Sequence, residues 1–306
     1  MKFKLTILGS GGAIPTVQKK PTAQFLNVQD RYFLIDCGEG TQIQLRKYKC
    51  KFQKIDNIFI SHLHGDHYLG LIGFLSSLNL LGRNRKLNIY APENLKKILA
   101  VHEEVNGRKF DFEIVFHPLK FDAMHCIYED NIVQVFSFPV THSVPTCGFL
   151  FKEKIRPRKI LKDKIKEFDI SISDINKIKS GSDFIQNDKV VKNDLLTLPA
   201  PPPRSYAYCA DTMYDKTIVK FIKYVDLLYH EATFLSSMKS RAKSTKHSTA
   251  EQAALIAKDA VVSKLLIGHF SARYKEVDLF ELEAKAVFAS TKAVVDGDEF
   301  ELNLKT

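Results

Sequence analysis

The sequence predicts a mixed α/β fold. Short apolar runs typical of buried strands recur along the chain, and segments of helical length lie between many of them. Two of these runs, 22–28 and 31–38, are separated only by polar residues, which indicates an antiparallel hairpin. Because hairpins occur together with strand–helix units, a purely parallel sheet is not expected. The 306 residues suffice for a sizeable core, and a single domain over 1–306 is predicted.

Strands are predicted where apolar residues run for the length of a buried strand. They lie at 4–8, 22–28, 31–38, 57–61, 86–91, 111–119, 131–140, 148–154, 206–211, 226–231 and 264–270. The first strand ends in glycines, as expected before a turn. The last predicted element is a closing hairpin at 293–302.

Helices are predicted where apolar residues recur at helical spacing or fill a segment too long for a strand. They lie at 41–50, 68–81, 92–105, 216–224, 247–260 and 277–290. Pro92 stands at a helix start, which favours the third of these helices. Ser248 or Thr249, followed by Glu251, forms a capping pattern at the start of the fifth.

The net charge and the cysteine pattern indicate which class of partner the protein binds and in which compartment it lies. The formal net charge is +10 with a pI near 9.2, which favours an anionic partner such as nucleic acid or anionic lipid. A generally basic proteome would explain the same excess. The five cysteines form no CxxC pair, so neither a disulfide framework nor a thiolate zinc site is expected. The expected compartment is the reducing cytoplasm. We expect neither a signal peptide nor a membrane span, because the longest uncharged stretch, 69–82, is too short.

A basic segment interrupts the predicted α/β pattern at about 152–192. Its first part, 152–168, carries eight Lys/Arg and three Asp/Glu. One interpretation is a solvated surface. The other is a clamp that holds RNA phosphates without recognising sequence, with Arg156, Arg158 and Lys159 as its first candidates.

The stretch "FISHLHGDHYLGL" (59–71) carries the strongest chemical signal. His62, His64, Asp66 and His67 follow a predicted strand and precede a predicted helix, a position where α/β folds often place functional sites. Imidazole and carboxylate groups are ligands for zinc and similar divalent metals. One metal would need only two or three of these side chains, so four of them suggest a pair of metals.

Three later strands end in further candidate ligands. These are His142, Asp211 and His269, and they complete a set of seven in which Asp211 is the natural bridge between two metals. A two-metal site activates water at neutral pH and offsets charge on a phosphoryl or carbonyl oxygen. Asp66 could bind one metal and also accept the proton of the water as general base.

These motifs together resemble the ribonuclease Z family of the metallo-β-lactamase superfamily. The residues that carry the resemblance are "SHLHGDH", "LTILGSGGAIPT", "LIDCGEGTQIQL", "HEATF", "HSTAEQAA" and "HFSARY". The HxHxDH pattern alone specifies only the superfamily, whereas "HEATF" (230–234), "HST" (247–249) and "HFSARY" (269–274) are more specific. The resemblance covers residues 4 to about 300.

The resemblance implies a four-layer αββα sandwich with the site at one edge of the paired sheets. It implies two zinc ions per subunit, with manganese or another divalent metal as a substitute. The first metal would take His62, His64 and His142, and the second Asp66, His67 and His269. Asp211 would bridge the two metals.

The resemblance also implies the reaction. A precursor tRNA would be hydrolysed 3′ of the discriminator base, leaving a 3′-hydroxyl on the tRNA. His247 would protonate the leaving oxygen, helped by Glu231, which would hold the imidazole tautomer and raise its pKa. A homodimer, in which one subunit's arm holds the tRNA cut by the other, is implied as well.

Other residues are candidates for binding the substrate. Ser248 and Thr249 open a helix, whose N-terminus is suited to a phosphate. Arg273 follows His269 by four residues, near enough to hold a phosphate, and Ser271 lies between them. An internal salt bridge is the alternative for Arg273. The family arm carries a Gly-Pro dipeptide that is absent here, so the arm over 152–192 is expected to be shorter, differently folded or replaced by a flat basic face.

Two other functions compete with this interpretation. One is a broader metal-dependent phosphodiesterase or arylsulfatase-like hydrolase acting on small substrates, against which the net charge and the basic segment argue. The other is a nucleic-acid-binding protein with an inactive metal site. The complete ligand set and the presence of His247 argue against that second alternative.

Overall fold

The computed structural model of the protein describes residues 1–187 and 189–304. These residues form two compact units. The larger unit comprises Met1–Lys152 and Ser205–Asn303, and the smaller one is built on Glu153–Arg204. In the described residues no helix has the length and apolar character that a membrane span requires.

The chain alternates strands and helices, so the predicted mixed α/β class is confirmed. The strands are β1 (Phe3–Gly9), β2 (Gly11–Gly12), β3 (Ala23–Val28), β4 (Arg31–Ile35), β5 (Ile55–Phe59), β6 (Leu87–Ala91), β7 (Ile114–Pro118), β8 (His125–Glu129), β9 (Val133–Val140), β10 (Thr146–Glu153), β11 (Lys159–Ile160), β12 (Phe184–Gln186), β13 (Lys189–Val191), β14 (Thr197–Leu198), β15 (Ser205–Cys209), β16 (Leu227–Glu231), β17 (Lys264–Gly268), β18 (Phe270–Ser271), β19 (Thr291–Ala293) and β20 (Glu299–Glu301).

The helices lie between these strands and are mostly short. They are α1 (Thr41–Lys47), α2 (Gly65–Tyr68), α3 (Gly70–Leu80), α4 (Asn94–Val105), α5 (Lys162–Glu167), α6 (Ile172–Lys179), α7 (Asn193–Leu196), α8 (Val219–Ile222), α9 (Lys239–Ser244), α10 (Ala250–Asp259) and α11 (Asp278–Lys285). Turns of 3-10 helix lie at Phe52–Lys54, Lys216–Ile218 and Ser236–Met238.

Two mixed sheets form the larger unit. Within the described residues each has seven strands, in the orders β20-β1-β3-β4-β5-β6-β7 and β19-β17-β16-β15-β10-β9-β8. In the first sheet β4 to β7 run parallel, while β1, β3 and β20 pair antiparallel. In the second, β15, β16, β17 and β19 run parallel, and β10 pairs antiparallel with β15.

Period-two alternation along the strands creates the layers of the larger unit. In β16, Leu227 and Tyr229 belong to the core between the sheets, whereas Leu228 faces the helices. The inter-sheet core is rich in aromatic rings, and Phe33 lies 5.4 Å from Phe151 between ring centroids. Helices α8, α10 and α11 cover the second sheet, and α1, α3 and α4 cover the first. The layer order is therefore αββα.

The parallel strands of the second sheet determine where the candidate site lies. Neighbouring parallel strands bring their carboxyl ends to the same edge of a sheet. Asp211 follows β15, Glu231 ends β16 and His269 follows β17, so one edge receives all three side chains.

The prediction of a closing hairpin at 293–302 is wrong. β19 pairs with β17 in the second sheet, whereas β20 pairs with β1 in the first. The segment therefore crosses from one sheet to the other. The sequence shows two short strands and a turn, and nothing local distinguishes a hairpin from such a crossing.

Three smaller differences concern element type. Strand β8 was not predicted, because its residues are only partly buried and its apolar pattern is weak. The segment at 216–224 begins as a 3-10 turn before α8. The cap of α10 is a capping box formed by Thr249 and Gln252, so Glu251 is not its acidic partner.

The smaller unit has its own core and a buried ion pair at its chain ends. Ile170, Ile178 and Leu196 form the core. Arg204 donates from Nη2 to Oε1 of Glu153 at 2.6 Å and from Nε to Oε2 at 2.9 Å, and both side chains are buried. The two ends of the segment are therefore joined by a bidentate, desolvated contact.

Replacing Arg204 should loosen the smaller unit. Arg204→Met leaves the Glu153 carboxylate buried with less compensation, and losing one partner of such a pair costs about 3–5 kcal/mol. Limited proteolysis and hydrogen exchange over 153–204 should show faster opening. The matched control is Arg158→Met, whose partly exposed pair with Asp194 should cost less than about 1 kcal/mol. Equal protection in the two variants would contradict the prediction.

Candidate metal centre

The seven predicted ligands converge at one edge of the larger unit. They fall into two groups whose ligand atoms lie within 4.8 Å of one another: His62, His64, His142 and Asp211, and Asp66, His67 and His269. All of these side chains are buried except that of His64, which is partly buried.

Local backbone geometry explains how one loop supplies both groups. The extended chain after β5 directs alternate residues to one side, which brings His62 and His64 together. Helix α2 begins directly after His64, whose φ of −75° and ψ of 144° are still extended. The helical turn then carries Asp66 and His67 to the second group.

In the first group, His64 Nδ1 lies 3.1 Å from His62 Nε2 and 3.2 Å from His142 Nε2. In the second, His269 Nε2 lies 3.3 Å from His67 Nε2 and 3.2 Å from Asp66 Oδ2. These distances are the spacing between neighbouring ligands of one small cation, because zinc–nitrogen bonds of ~2.0–2.1 Å give a tetrahedral edge of about 3.3 Å.

Asp211 lies between the two groups with one oxygen directed at each. Oδ2 is 3.7 Å from His62 Nε2 and 3.8 Å from His142 Nε2. Oδ1 is 3.3 Å from His67 Nε2 and 3.2 Å from His269 Nε2, yet within the described residues this buried atom has no hydrogen-bond donor. A buried, unsatisfied carboxylate oxygen surrounded by imidazole nitrogens fits a bound cation, so the residues fit a pair of divalent metals.

Hydrogen bonds behind the ligands orient the imidazoles. Asp36 Oδ2 lies 2.7 Å from His67 Nδ1 and accepts from Ser61 Oγ and from the Tyr208 hydroxyl. Ser61 Oγ in turn lies 3.0 Å from His62 Nδ1. One carboxylate therefore orients a histidine in each group. With Nδ1 as donor, each ring presents Nε2 to the cluster.

The remaining two histidines that present Nε2 are held in the same way. His142 Nδ1 lies 2.9 Å from the carbonyl oxygen of Lys246, and His269 Nδ1 lies 2.9 Å from Oγ1 of Thr233. Such contacts fix the tautomer and the orientation of a metal-binding imidazole.

The N-terminal turn closes over the second group. The backbone amide of Ala13 donates to Asp66 Oδ2 at 2.6 Å. A Cβ atom at Gly12 would lie 2.6 Å from Cε1 of His269. Only glycine allows the backbone to approach that ring so closely.

His247 and Glu231 form a buried pair beside the cluster. His247 Nδ1 lies 2.8 Å from Glu231 Oε1, and Thr233 donates to Glu231 Oε2 at 2.9 Å. Burial lowers the pKa of His247, but the charge and hydrogen bond of Glu231 outweigh it and raise that pKa to about 9. Thr233 also contacts His269, so a continuous hydrogen-bonded chain joins His247 to a ligand.

At the start of α10, where a phosphate site is predicted, the polar groups form hydrogen bonds within the protein. Thr249 is fully buried, and its hydroxyl accepts from the Gln252 amide as the helix cap. Ser248 is buried too, and its amide donates to Glu231. The amide of Thr249 donates to Gln252 and that of Glu251 to Glu283. The donors that a phosphate would use are therefore already occupied.

The other substrate-binding candidates differ in their exposure and in whether a carboxylate pairs with them. Arg273 is exposed, donates to Ser271 Oγ and stacks its guanidinium on Phe234, with no internal salt bridge recorded for it within the described residues. In the smaller unit, Arg156 pairs with Glu153 and Arg158 with Asp194, while Lys159 is exposed on β11.

Sequence reasoning missed the residues behind the ligands. Asp36 lies in "LIDCG", directly after a strand, and that position was the available signal. Thr233 lies in "HEATF", but the sequence analysis predicts no role for it. Tyr208 belongs to an apolar strand, where nothing in the sequence indicates a hydrogen bond to a carboxylate 172 residues away.

The chain is similar in sequence to known proteins. A family model described as Anti-Pycsar protein Apyc1 matches residues 3–156. The ribonuclease Z of Bacteroides fragilis is 46% identical over 291 residues, which cover 95% of this chain and 96% of that protein. The ribonuclease Z of Porphyromonas gingivalis is 43% identical over 292 residues, with coverages of 95% and 96%.

Two solved structures share the fold. The human tRNase Z, short form, superposes with a TM-score of 0.70 at 25% identity, covering 99% of this chain and all of that one. The metallo-β-lactamase fold protein YhfI from Bacillus subtilis gives a TM-score of 0.69 at 19% identity, with coverages of 98% and 99%.

Removing the Asp36 carboxylate should weaken metal binding. Asp36→Asn removes the charge that holds His67 and, through Ser61, His62, and losing such a contact costs roughly 10–100-fold in affinity. Zinc titration in competition with a chromophoric chelator measures the change. The control is Asp163→Asn, which removes an exposed carboxylate in the smaller unit and should bind zinc as wild type. An unchanged zinc affinity in Asp36→Asn would show that Asp36 does not support the ligands.

Proposed function

The chain belongs to the ribonuclease Z family, and we propose that it removes the 3′ trailer from tRNA precursors as a metal-dependent endoribonuclease. It cuts 3′ of the discriminator base and leaves a 3′-hydroxyl on the tRNA. The observation that carries the proposal is the convergence of a seven-ligand cluster and a His247–Glu231 pair at one edge. Phosphodiester hydrolysis needs both charge compensation and a proton donor.

The resident cofactor in this proposal is a pair of zinc ions per subunit, for which manganese or another divalent metal could substitute. His62, His64 and His142 would hold one ion, Asp66, His67 and His269 would hold the other, and Asp211 would lie between the two. When bound, the ions lower the pKa of a water molecule and compensate charge on the scissile phosphate. The donor set of imidazole and carboxylate groups without thiolate suits this chemistry.

Asp66 is the proposed proton acceptor. Burial raises the pKa of its carboxyl, but the neighbouring imidazoles of His67 and His269 outweigh burial and hold that pKa below its usual value. The carboxylate is therefore ionised at neutral pH. The Ala13 amide fixes Oδ2, which leaves Asp66 oriented to take the proton of the attacking water.

His247 is the proposed proton donor to the leaving 3′ oxygen of the ribose. With its pKa raised to about 9, the imidazole is protonated at neutral pH. Glu231 accepts from Nδ1, so Nε2 carries the proton that is given away. Glu231 acts through His247 and is a positioning residue.

The smaller unit is the proposed basic insert that binds the tRNA. Lys159, Lys162 and Lys166 are exposed there and have no ion-pair partner among the described residues. They are available for phosphates, whereas Arg156 and Arg158 are committed to carboxylates. We further propose a homodimer in the cytoplasm, where the free thiols of its cysteines fit a reducing environment.

Cleavage of a 3′-extended precursor tRNA tests the function. Wild type should make a single cut beside the discriminator base, and Asp66→Ala or a chelator should reduce the rate by more than about 10³-fold, because both remove groups needed for water activation. The matched control, Asp163→Asn, should cut as wild type. Turnover of bis(p-nitrophenyl) phosphate without cleavage of any precursor would favour the alternative, a broader metal-dependent phosphodiesterase.

Replacing His247 should affect substrates according to their leaving groups. His247→Ala should slow precursor cleavage by roughly 10²–10⁴-fold, the usual contribution of a general acid. p-Nitrophenolate leaves without a proton, so hydrolysis of bis(p-nitrophenyl) phosphate should fall far less. Comparing kcat for the two substrates measures this difference. Equal losses would mean that His247 supports the site without donating a proton.

A further inference from the structure

A pocket of about 250 Å³ opens beside His247, with no predicted metal ligand in its lining. Besides His247, its lining includes Met213, Tyr214, Lys239 and Lys243. Sites for drug-sized ligands span about 300–1,000 Å³. This pocket is therefore large enough for one small molecule or one nucleotide, but not for a double-stranded stem.

The cations of the pocket come from a segment that the sequence analysis did not single out. Residues 239–246 contain four Lys/Arg, and no Asp or Glu occurs from 232 to 250. Lys239 and Lys243 are exposed and form no ion pair within the described residues. Glu283 approaches the preceding turn, but its oxygens accept from Ser236 and Glu251.

The pocket lining also contains two largely apolar side chains, Met213 and Tyr214, both held by contacts with the rest of the protein. Tyr214 is partly buried and packs against the core that lies under the helices of the second sheet. Met213 is held by a hydrogen bond from its amide to the carbonyl of Thr141. A lining that combines an aromatic ring, a thioether and two exposed ammonium groups matches a nucleotide, because its base can stack on the ring and its phosphate is anionic.

Resting on the function proposed above, we propose that this pocket is the subsite for the nucleotide whose 3′ oxygen leaves. His247 lines the pocket and gives its proton to that oxygen, so the ribose that carries the oxygen lies next to the pocket. The sugar and base lie against Met213 and Tyr214. Lys239 and Lys243 hold the phosphate on the 5′ side of the same nucleotide.

The test compares two product RNAs for each protein. One is the mature tRNA that ends at the discriminator nucleotide, and the other lacks that nucleotide. Wild type should bind the complete product about 10-fold more tightly by fluorescence anisotropy. In Lys239→Gln/Lys243→Gln this ratio should fall below about twofold, because the terminal nucleotide has lost its phosphate contacts.

Matched variants separate this contact from a general loss of charge. Lys96→Gln/Lys97→Gln removes two exposed lysines from α4, on the outer face of the first sheet, and should keep the wild-type ratio. Lys239→Arg/Lys243→Arg keeps the charge and should restore the preference. The α4 variant should also hydrolyse bis(p-nitrophenyl) phosphate at the wild-type rate, because Lys96 and Lys97 lie outside the site.

The outcomes distinguish the subsite from the function. An unchanged ratio in Lys239→Gln/Lys243→Gln, or an equal loss in the α4 variant, would overturn the subsite. A wild type that shows the ratio but cuts no precursor would overturn the function instead. A loss confined to a 5′-phosphorylated trailer oligonucleotide would place the pocket on the other side of the scissile bond and overturn the proposal.

Discussion

The central constraint in this protein is the carboxylate of Asp211, buried among imidazoles at the edge of two sheets. A buried charge costs several kcal/mol unless it is compensated. Five histidines and Asp66 surround this carboxylate, yet within the described residues its buried Oδ1 accepts no hydrogen bond. Bound cations of the kind proposed above would compensate this charge. The parallel order of β15, β16 and β17 explains where this charge lies, because it delivers Asp211, Glu231 and His269 to one edge.

The orientation of the candidate metal ligands depends on residues that lie behind them. Asp36 connects His67 with His62 through Ser61, and Thr233 connects His269 with Glu231 and His247. Two of the residues involved have left-handed backbones, Asp36 with φ of 55° and His269 with φ of 62°. Such conformations cost about 1–3 kcal/mol in non-glycine residues and persist only where surrounding contacts hold them. The strained backbone at Asp36 and His269 thus lowers the stability of the fold but orients the candidate metal ligands.

The number of Lys and Arg residues in a segment does not show how many of them are free of ion pairs. The segment 152–168 is the most conspicuous basic run, yet Arg156, Arg158 and Lys164 each meet a carboxylate within the smaller unit. The shorter run at 239–246 carries fewer charges, but Lys239 and Lys243 beside His247 form no ion pair with any residue that the structure describes. For binding RNA, the number of cations without a partner matters more than the number present, since paired cations release fewer counterions.

The sequence by itself determined the class of the fold and selected the polar side chains that gather at the candidate site. Strand runs followed by His or Asp are local patterns, so His62, Asp66, Asp211 and His269 could be selected before any contact was known. The mixed α/β class followed from periodicity for the same reason.

Only the tertiary structure decided which partners these local patterns meet. The assignment of 293–302 to two sheets, the pairing of Tyr208 with Asp36 and the capping role of Thr249 all depend on packing or on residues far apart in the chain. Local propensity carries no information about such contacts. Their energies arise only when the two sheets and their helices pack together.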